Sequence, residues 1–253
     1  DNINNFSIAP GNLSGFKVLF LCSDNRIQAL SANLNSSSTN DYKFLNYIET
    51  YGELNKLNFI KINSSAYYGD SIYVCDESRN NIVRMNVDGF TKKGSHRYDK
   101  FYETEIIGGQ GEVRDNYSFN SPKIVDFYDE YLYVLDQGNK MVKVFDKDLG
   151  FVRNIRKAYF YDQNQPVSVK LYNDNFYWLT KEGKISILDL DLNLLETIDI
   201  SVNSLQQEEF LDLVISPINK CIIPNVGMIM HKMPIQNLFK ELVFNFFIKI
   251  VIL

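Results

Sequence analysis

The sequence predicts an all-β protein built from repeated sheets, and three features of its 253 residues carry that expectation. Aromatic residues make up 14%, nearly all Tyr and Phe, beside many Ile and Val, a mixture that packs on pleated, half-buried surfaces. Apolar and polar residues alternate with period two along many short runs. Those runs recur, with Tyr133 and Tyr177 in matching copies about 44 residues apart. Two runs joined by a turn make a hairpin, and about four short strands make a blade. A blade cannot bury both of its faces alone, so blades must stack on one another. The fold class is therefore a β-propeller of four-stranded antiparallel blades, occupying residues 1–253 as a single domain.

Five copies are legible along the chain. KVLFLCSDNRIQALS (Lys17 to Ser31) comes first, with a short turn and with Cys22 matched to Cys75. The polar insertion SANLNSSSTNDY follows. YGDSIYVCDESRNNIVRMNVDG (Tyr68 to Gly89) is the second copy, and DGFTKKGSHRYDKFYETE after it reads as a long loop. YDEYLYVLDQGNKMVKVFDKDLG (Tyr128 to Gly150) is the third and YNDNFYWLTKEGKISILDLDLNLLETI (Tyr172 to Ile198) the fourth, with Thr180 where the earlier copies have Asp76 and Asp136. VISPINKCIIPNVG (Val214 to Gly227) reads as a weaker fifth, with a proline at the aspartate position. No segment carries a helical stripe of useful length. LQQEEFLDLV (Leu205 to Val214) comes nearest, and a strand after a polar loop explains it equally well. The terminal LVFNFFIKIVIL, interrupted by Asn245 and Lys249, is about half the length of a spanning helix and reads as a buried closing strand.

Charge and composition exclude several functions. The net charge is -5 and the 26 basic residues are scattered, so there is no electrostatic footprint for nucleic acid. Three well-separated cysteines, Cys22, Cys75 and Cys221, make neither a disulfide framework nor a zinc site. His96 and His231 are the only histidines, which leaves little material for His-based metal binding or for Ser-His and Cys-His catalysis.

Several local patterns invite a chemical reading. Gly108 to Gly111 (GGQG) resembles a phosphate loop, but neither a Lys-Ser pair nor a helix follows, so it reads as a loop between blades. Asp76 and Asp136 precede tight turns where a carboxylate can accept local backbone N–H groups, and Asn81 and Asn139 are assigned to the same turn chemistry. DLDLN (Asp189 to Asn193) lacks the glycine and closing glutamate of an EF-hand and reads as a solvated face or turn. Asn-x-Ser triplets at Asn12, Asn35, Asn63 and Asn116 arise easily in a chain this rich in Asn and Ser. The insertion carrying His96 and Arg97, with the segment Arg114 to Tyr117, is the preferred binding surface, because loops on a rigid scaffold carry recognition.

The order G-x-G-E (Gly109 to Glu112), Phe-Asn-Ser-Pro (Phe119 to Pro122), apolar-Tyr-Val-x-Asp-x-Gly-Asn (Leu132 to Asn139) and Val-x-Val-Phe-Asp (Val142 to Asp146) resembles an NHL-type repeat. It is also similar to the propeller repeats of bacterial surface proteins and of phage structural proteins. The resemblance covers residues 67–200. It implies a six-bladed propeller, the sixth blade assembled from residues 1–14 and the C-terminal strands. The repeat pattern, together with the lack of a catalytic constellation, points to a non-catalytic scaffold that binds a protein partner or ligand, in a virion or at a cell surface, and no cofactor is expected. The alternative that the resemblance carries is a lyase- or lactonase-like enzyme with a metal in the central channel, for which an all-oxygen calcium site of Asp and Asn would be needed.

Overall fold

In a computed structural model of the chain, the described residues are 5–10, 16–33, 42–51, 57–88, 104–109, 115–157, 165–199, 210–216 and 221–226. The alternating runs become strands throughout them. Blade one is β1 (Asn5–Pro10), β2 (Phe16–Ser23), β3 (Arg26–Asn33) and β4 (Tyr42–Ile48), followed by a two-residue ribbon of β5 (Thr50–Tyr51) and β6 (Leu57–Asn58). Blade two is β7 (Ile62–Tyr68), β8 (Ser71–Asp76), β9 (Asn81–Asn86) and β10 (Thr104–Gly108). Blade three is β11 (Pro122–Tyr128), β12 (Tyr131–Asp136), β13 (Met141–Asp146) and β14 (Phe151–Ile155). Blade four is β15 (Pro166–Tyr172), β16 (Asn175–Thr180), β17 (Lys184–Asp189) and β18 (Leu194–Asp199). A hairpin of β19 (Phe210–Ser216) and β20 (Cys221–Val226) follows. In every blade the strands pair antiparallel in sequence order, the β-propeller-like pattern that the repeats predict.

The chain divides into two compact units, Asp1–Asn154 with blades one to three and Ile155–Leu253 with blade four and the hairpin. Within the first unit β7 packs beside both β1 and β11, so first strands neighbour first strands. The core follows from period two. Ile72 and Val74 on one face of β8 join Phe20, Cys22 and Ile27 of blade one in a cluster with Ile62, Val83 and Met85. Tyr73 and Cys75 on the other face join Phe119, Leu132, Val134 and Phe145 of blade three. One strand thus supplies both of the interfaces that a lone blade leaves open. Within the second unit Leu179 and Ile185 are buried against Val167, Tyr177 and Ile198.

A β-bulge recurs at the second residue of β7, β11, β15 and β19, though not of β1, and another falls at the second residue of β18. Ile62 pairs with Asp76 and Ser64 with Cys75, leaving Asn63 extra. Lys123 is skipped in the same way between Pro122 and Ile124, Val167 between Pro166 and Ser168, and Leu211 between Phe210 and Asp212. Packing sets the phase of the fifth copy: β19 lies against β15 as β7 lies against β1 and β11, so β19 and β20 align with the first and second strands of a blade. By sequence alone, with Pro217 or Pro224 standing in for the aspartate, these residues match the second and third strands of the other copies. Apolar alternation cannot tell neighbouring strands of a blade apart, whereas packing against the neighbouring first strand does.

The six-bladed expectation is corrected in the same way. The described residues hold four four-stranded blades and two two-stranded pieces, β5–β6 and β19–β20. Of residues 1–14, expected to help build a sixth blade, the described Asn5–Pro10 instead form β1, paired along its whole length with β2 from Asn5–Cys22 to Pro10–Lys17. The terminal apolar run and residues 205–209 lie outside the described residues. Among those described, no helix is long and apolar enough to cross a membrane.

Candidate functional site

Polar chemistry in the first unit concentrates where first strands begin and second strands end. Asp76 and Asp136 close β8 and β12, and both are fully buried. Asp76 Oδ1 accepts the N–H of Lys61 at 3.1 Å and Oδ2 that of Ile60 at 3.3 Å. Asp136 Oδ1 accepts the N–H of Asn120 at 2.8 Å. Each carboxylate therefore ties down the segment leading into its own blade, just after a buried phenylalanine, Phe59 or Phe119. In blade four Thr180, also buried, accepts the N–H of Lys184 through Oγ1 at 3.3 Å, a bond across its own turn.

The two asparagines occupy different places. Asn139 lies inside the turn and donates Nδ2–H to Asp136 Oδ2 at 2.7 Å. Asn81 opens β9 opposite Asp76, a position that Met141 holds in blade three. The counterpart of Lys140, φ 54°, is Asn80, φ 54°, and Asn80 uses its side-chain oxygen to accept the Ser121 N–H at 2.7 Å.

Lys143 is a feature that the sequence reading passed over. It stands on an apolar face of β13 and is fully buried. Its ammonium donates to the carbonyl oxygens of Asp115 at 3.0 Å, Asn116 at 3.4 Å and Ser118, and sits 3.5 Å from Asp136 Oδ2. Burial pushes the Asp136 carboxyl above its ordinary range despite the Asn120, Asn139 and Lys143 contacts. A lysine in the middle of MVKVFD, on a strand whose neighbours are all core, was the available signal. Such a residue must find buried oxygens.

Glu77 is the second such feature. It opens a single 3₁₀ turn, Glu77–Arg79, directly after Asp76. Oε2 receives Lys61 Nζ at 2.7 Å and Asn63 Nδ2 at 2.7 Å, while Oε1 receives Lys123 Nζ at 2.6 Å and Ser121 Oγ at 2.7 Å. Burial alone would raise this carboxyl, but the bonds from Lys123, Lys61, Ser121 and Asn63 outweigh it and hold the group at about 2. Asn63 and Lys123 are the bulged residues of blades two and three, which is how side chains from two blades reach one carboxylate. Lys61 and Lys123 remain partly exposed, at 47% and 30%.

Other groups with reactive side chains are committed elsewhere. Cys22 Sγ donates to Ser65 Oγ at 3.2 Å and Cys75 Sγ to the Pro122 carbonyl at 3.0 Å, each bridging to the next blade. Burial pushes the Cys22 thiol up to about 12, and Cys75 well above its ordinary value, so neither is a thiolate near neutrality. Gly108 ends β10 with φ 107°, and a Cβ there would meet Asn80 O at 2.4 Å, so close packing accounts for this glycine. Gly109 donates its N–H to the same carbonyl oxygen at 2.7 Å. Asp189 makes an Asx turn, accepting the N–H groups of Asp191 at 2.9 Å and Asn193 at 2.8 Å. Asp146 repeats it with Asp148 and Gly150, both at 2.8 Å. Among the described residues no group of three or more His, Cys, Asp or Glu side chains could hold a metal ion.

Of the residues preferred for binding, His96, Arg97 and Arg114 lie outside the described residues. Tyr117 is 42% exposed. Its ring lies against Phe145 and Phe151, and its hydroxyl accepts the Phe151 N–H at 3.3 Å. No protein-family model matches the chain, and no curated protein matches it.

Proposed function

We propose that the chain is a non-catalytic β-propeller scaffold of NHL type that binds a protein partner through its loops, within a virion or cell-surface assembly. The observation that supports this reading is how the buried ionisable groups are used. Asp76, Asp136 and Lys143 all spend their charge on backbone groups of the segments that precede a blade. Such bonds pre-organise loops, and a pre-organised loop binds with a smaller entropic cost. The proposed contact surface is the loop of His96 and Arg97 together with Arg114 and Tyr117.

Affinity capture of the full chain from its native source, with native mass measurement, tests the proposal. A stoichiometric protein partner is expected, released or weakened when His96, Arg97, Arg114 and Tyr117 are changed to alanine. A lone monomer with no partner overturns the scaffold reading, and a partner indifferent to those alanines overturns the choice of surface.

A further inference from the structure

We infer that Lys61 and Lys123, held on opposite oxygens of Glu77, form a binding site for a carboxylate carried by an acidic protein segment. Two ammonium groups converge on one carboxylate from two different blades, and each makes a single ion pair among the described residues. A lysine has three donors, so each retains N–H groups beyond the pair. Both side chains are partly exposed. The cluster carries one more positive than negative charge, on a chain whose net charge is -5.

The backbone is strained into this arrangement. Ser121 has φ 53° and Asn80 φ 54°, two non-glycine residues in the left-handed region joined by a hydrogen bond of 2.7 Å. Bulges at Asn63 and Lys123 lie beside them. The two bulges let Asn63 and Lys123 reach Glu77 from neighbouring blades. Arg79 stands in the same turn, its Nε on the Asn58 carbonyl at 3.0 Å and 3.8 Å from Asp76. Ile60, 50% exposed, gives an apolar neighbour.

The balance of charge selects the ligand. Glu77 neutralises one ammonium, so a monoanion completes the site, whereas a phosphate dianion would be left with surplus negative charge facing Glu77. The carboxylate of an acidic side chain supplies that single charge. This site goes beyond the loop surface proposed above and stands on different residues.

The test is an amide-resolved NMR titration of the isotope-labelled full chain with a Glu-Ser repeat peptide, its Gln-Ser counterpart and inorganic phosphate. The Glu peptide is expected to shift the amides of Lys61, Ser121 and Lys123, less so as salt rises, while the Gln peptide leaves them in place. Lys61→Gln and Lys123→Gln should each weaken binding about two- to fivefold, and Lys147→Gln, in the turn between β13 and β14, should not. Equal response to both peptides, tighter binding of phosphate, or no shift of those amides overturns the site, and the wild-type titration decides this even if a variant fails to fold. A native partner captured equally well by Lys61→Gln and Lys123→Gln also sinks the site, yet leaves the scaffold reading standing.

Discussion

At the residue scale, Glu77 and Lys143 show how a carboxylate and an ammonium come to be held inside a β-protein. Glu77 has a folded pKa of about 2 against an ordinary 4.5. Because the folded value is the lower, the stability it contributes is present above about 4.5 and is lost as pH falls toward 2. Glu77→Gln should therefore be less stable than wild type at pH 7 by roughly 1–3 kcal/mol, and the two should converge as the pH approaches 2. Urea unfolding across that range checks it. Lys143→Met leaves Asp136 buried without its ion partner and should cost about 3–5 kcal/mol. Lys143→Met combined with Asp136→Asn should recover part of that loss, and a double-mutant cycle reads the coupling. Asp136 was legible in the sequence because it recurs as Asp76. Lys143 and Glu77 do not recur in the other copies, and a repeat comparison discards what is not repeated.

At the element scale, turns and bulges carry the specificity that alternating strands lack. Gly108→Ala would place a Cβ against the Asn80 carbonyl at 2.4 Å and Phe119 at 2.7 Å, with φ already 107°. A backbone neighbour cannot move aside cheaply, so a loss of roughly 2–4 kcal/mol is expected in denaturant unfolding. The turn between β11 and β12 should respond in the opposite sense. Asp129 and Glu130 have φ 47° and 67°, the signature of a primed hairpin turn, and neither is glycine. Glu130→Gly should stabilise by about 0.5–1 kcal/mol, seen as a higher melting temperature. Strand positions were readable because period two is written into the residues. The bulges were not, because Asn63, Lys123, Val167 and Leu211 share no residue type. A bulge is a property of pairing, and pairing needs the partner strand.

At the scale of the whole molecule, the first unit is held by apolar layers between blades. Phe145 is fully buried in the layer shared by blades two and three, with rings of Phe119 and Phe151 each 5.9 Å away. Phe145→Ala should cost about 3–5 kcal/mol, measured as a lower denaturant midpoint. Cys22–Ser65 and Cys75–Pro122 bonds cross the same two interfaces and give each layer a polar pin that sets register.

By itself, the sequence determined that the chain is all-β, that its hairpins repeat, and that glycine, asparagine and aspartate mark the turns. These are local properties, set by side-chain alternation and by which residues tolerate a turn. Only the tertiary structure decided that residues Asn5–Pro10 complete blade one, that β19 and β20 are the first two strands of a blade, and that Lys61, Asn63, Ser121 and Lys123 meet on Glu77. Each depends on residues far apart in the chain, and their meeting is fixed by strand pairing and blade stacking, which no local pattern records.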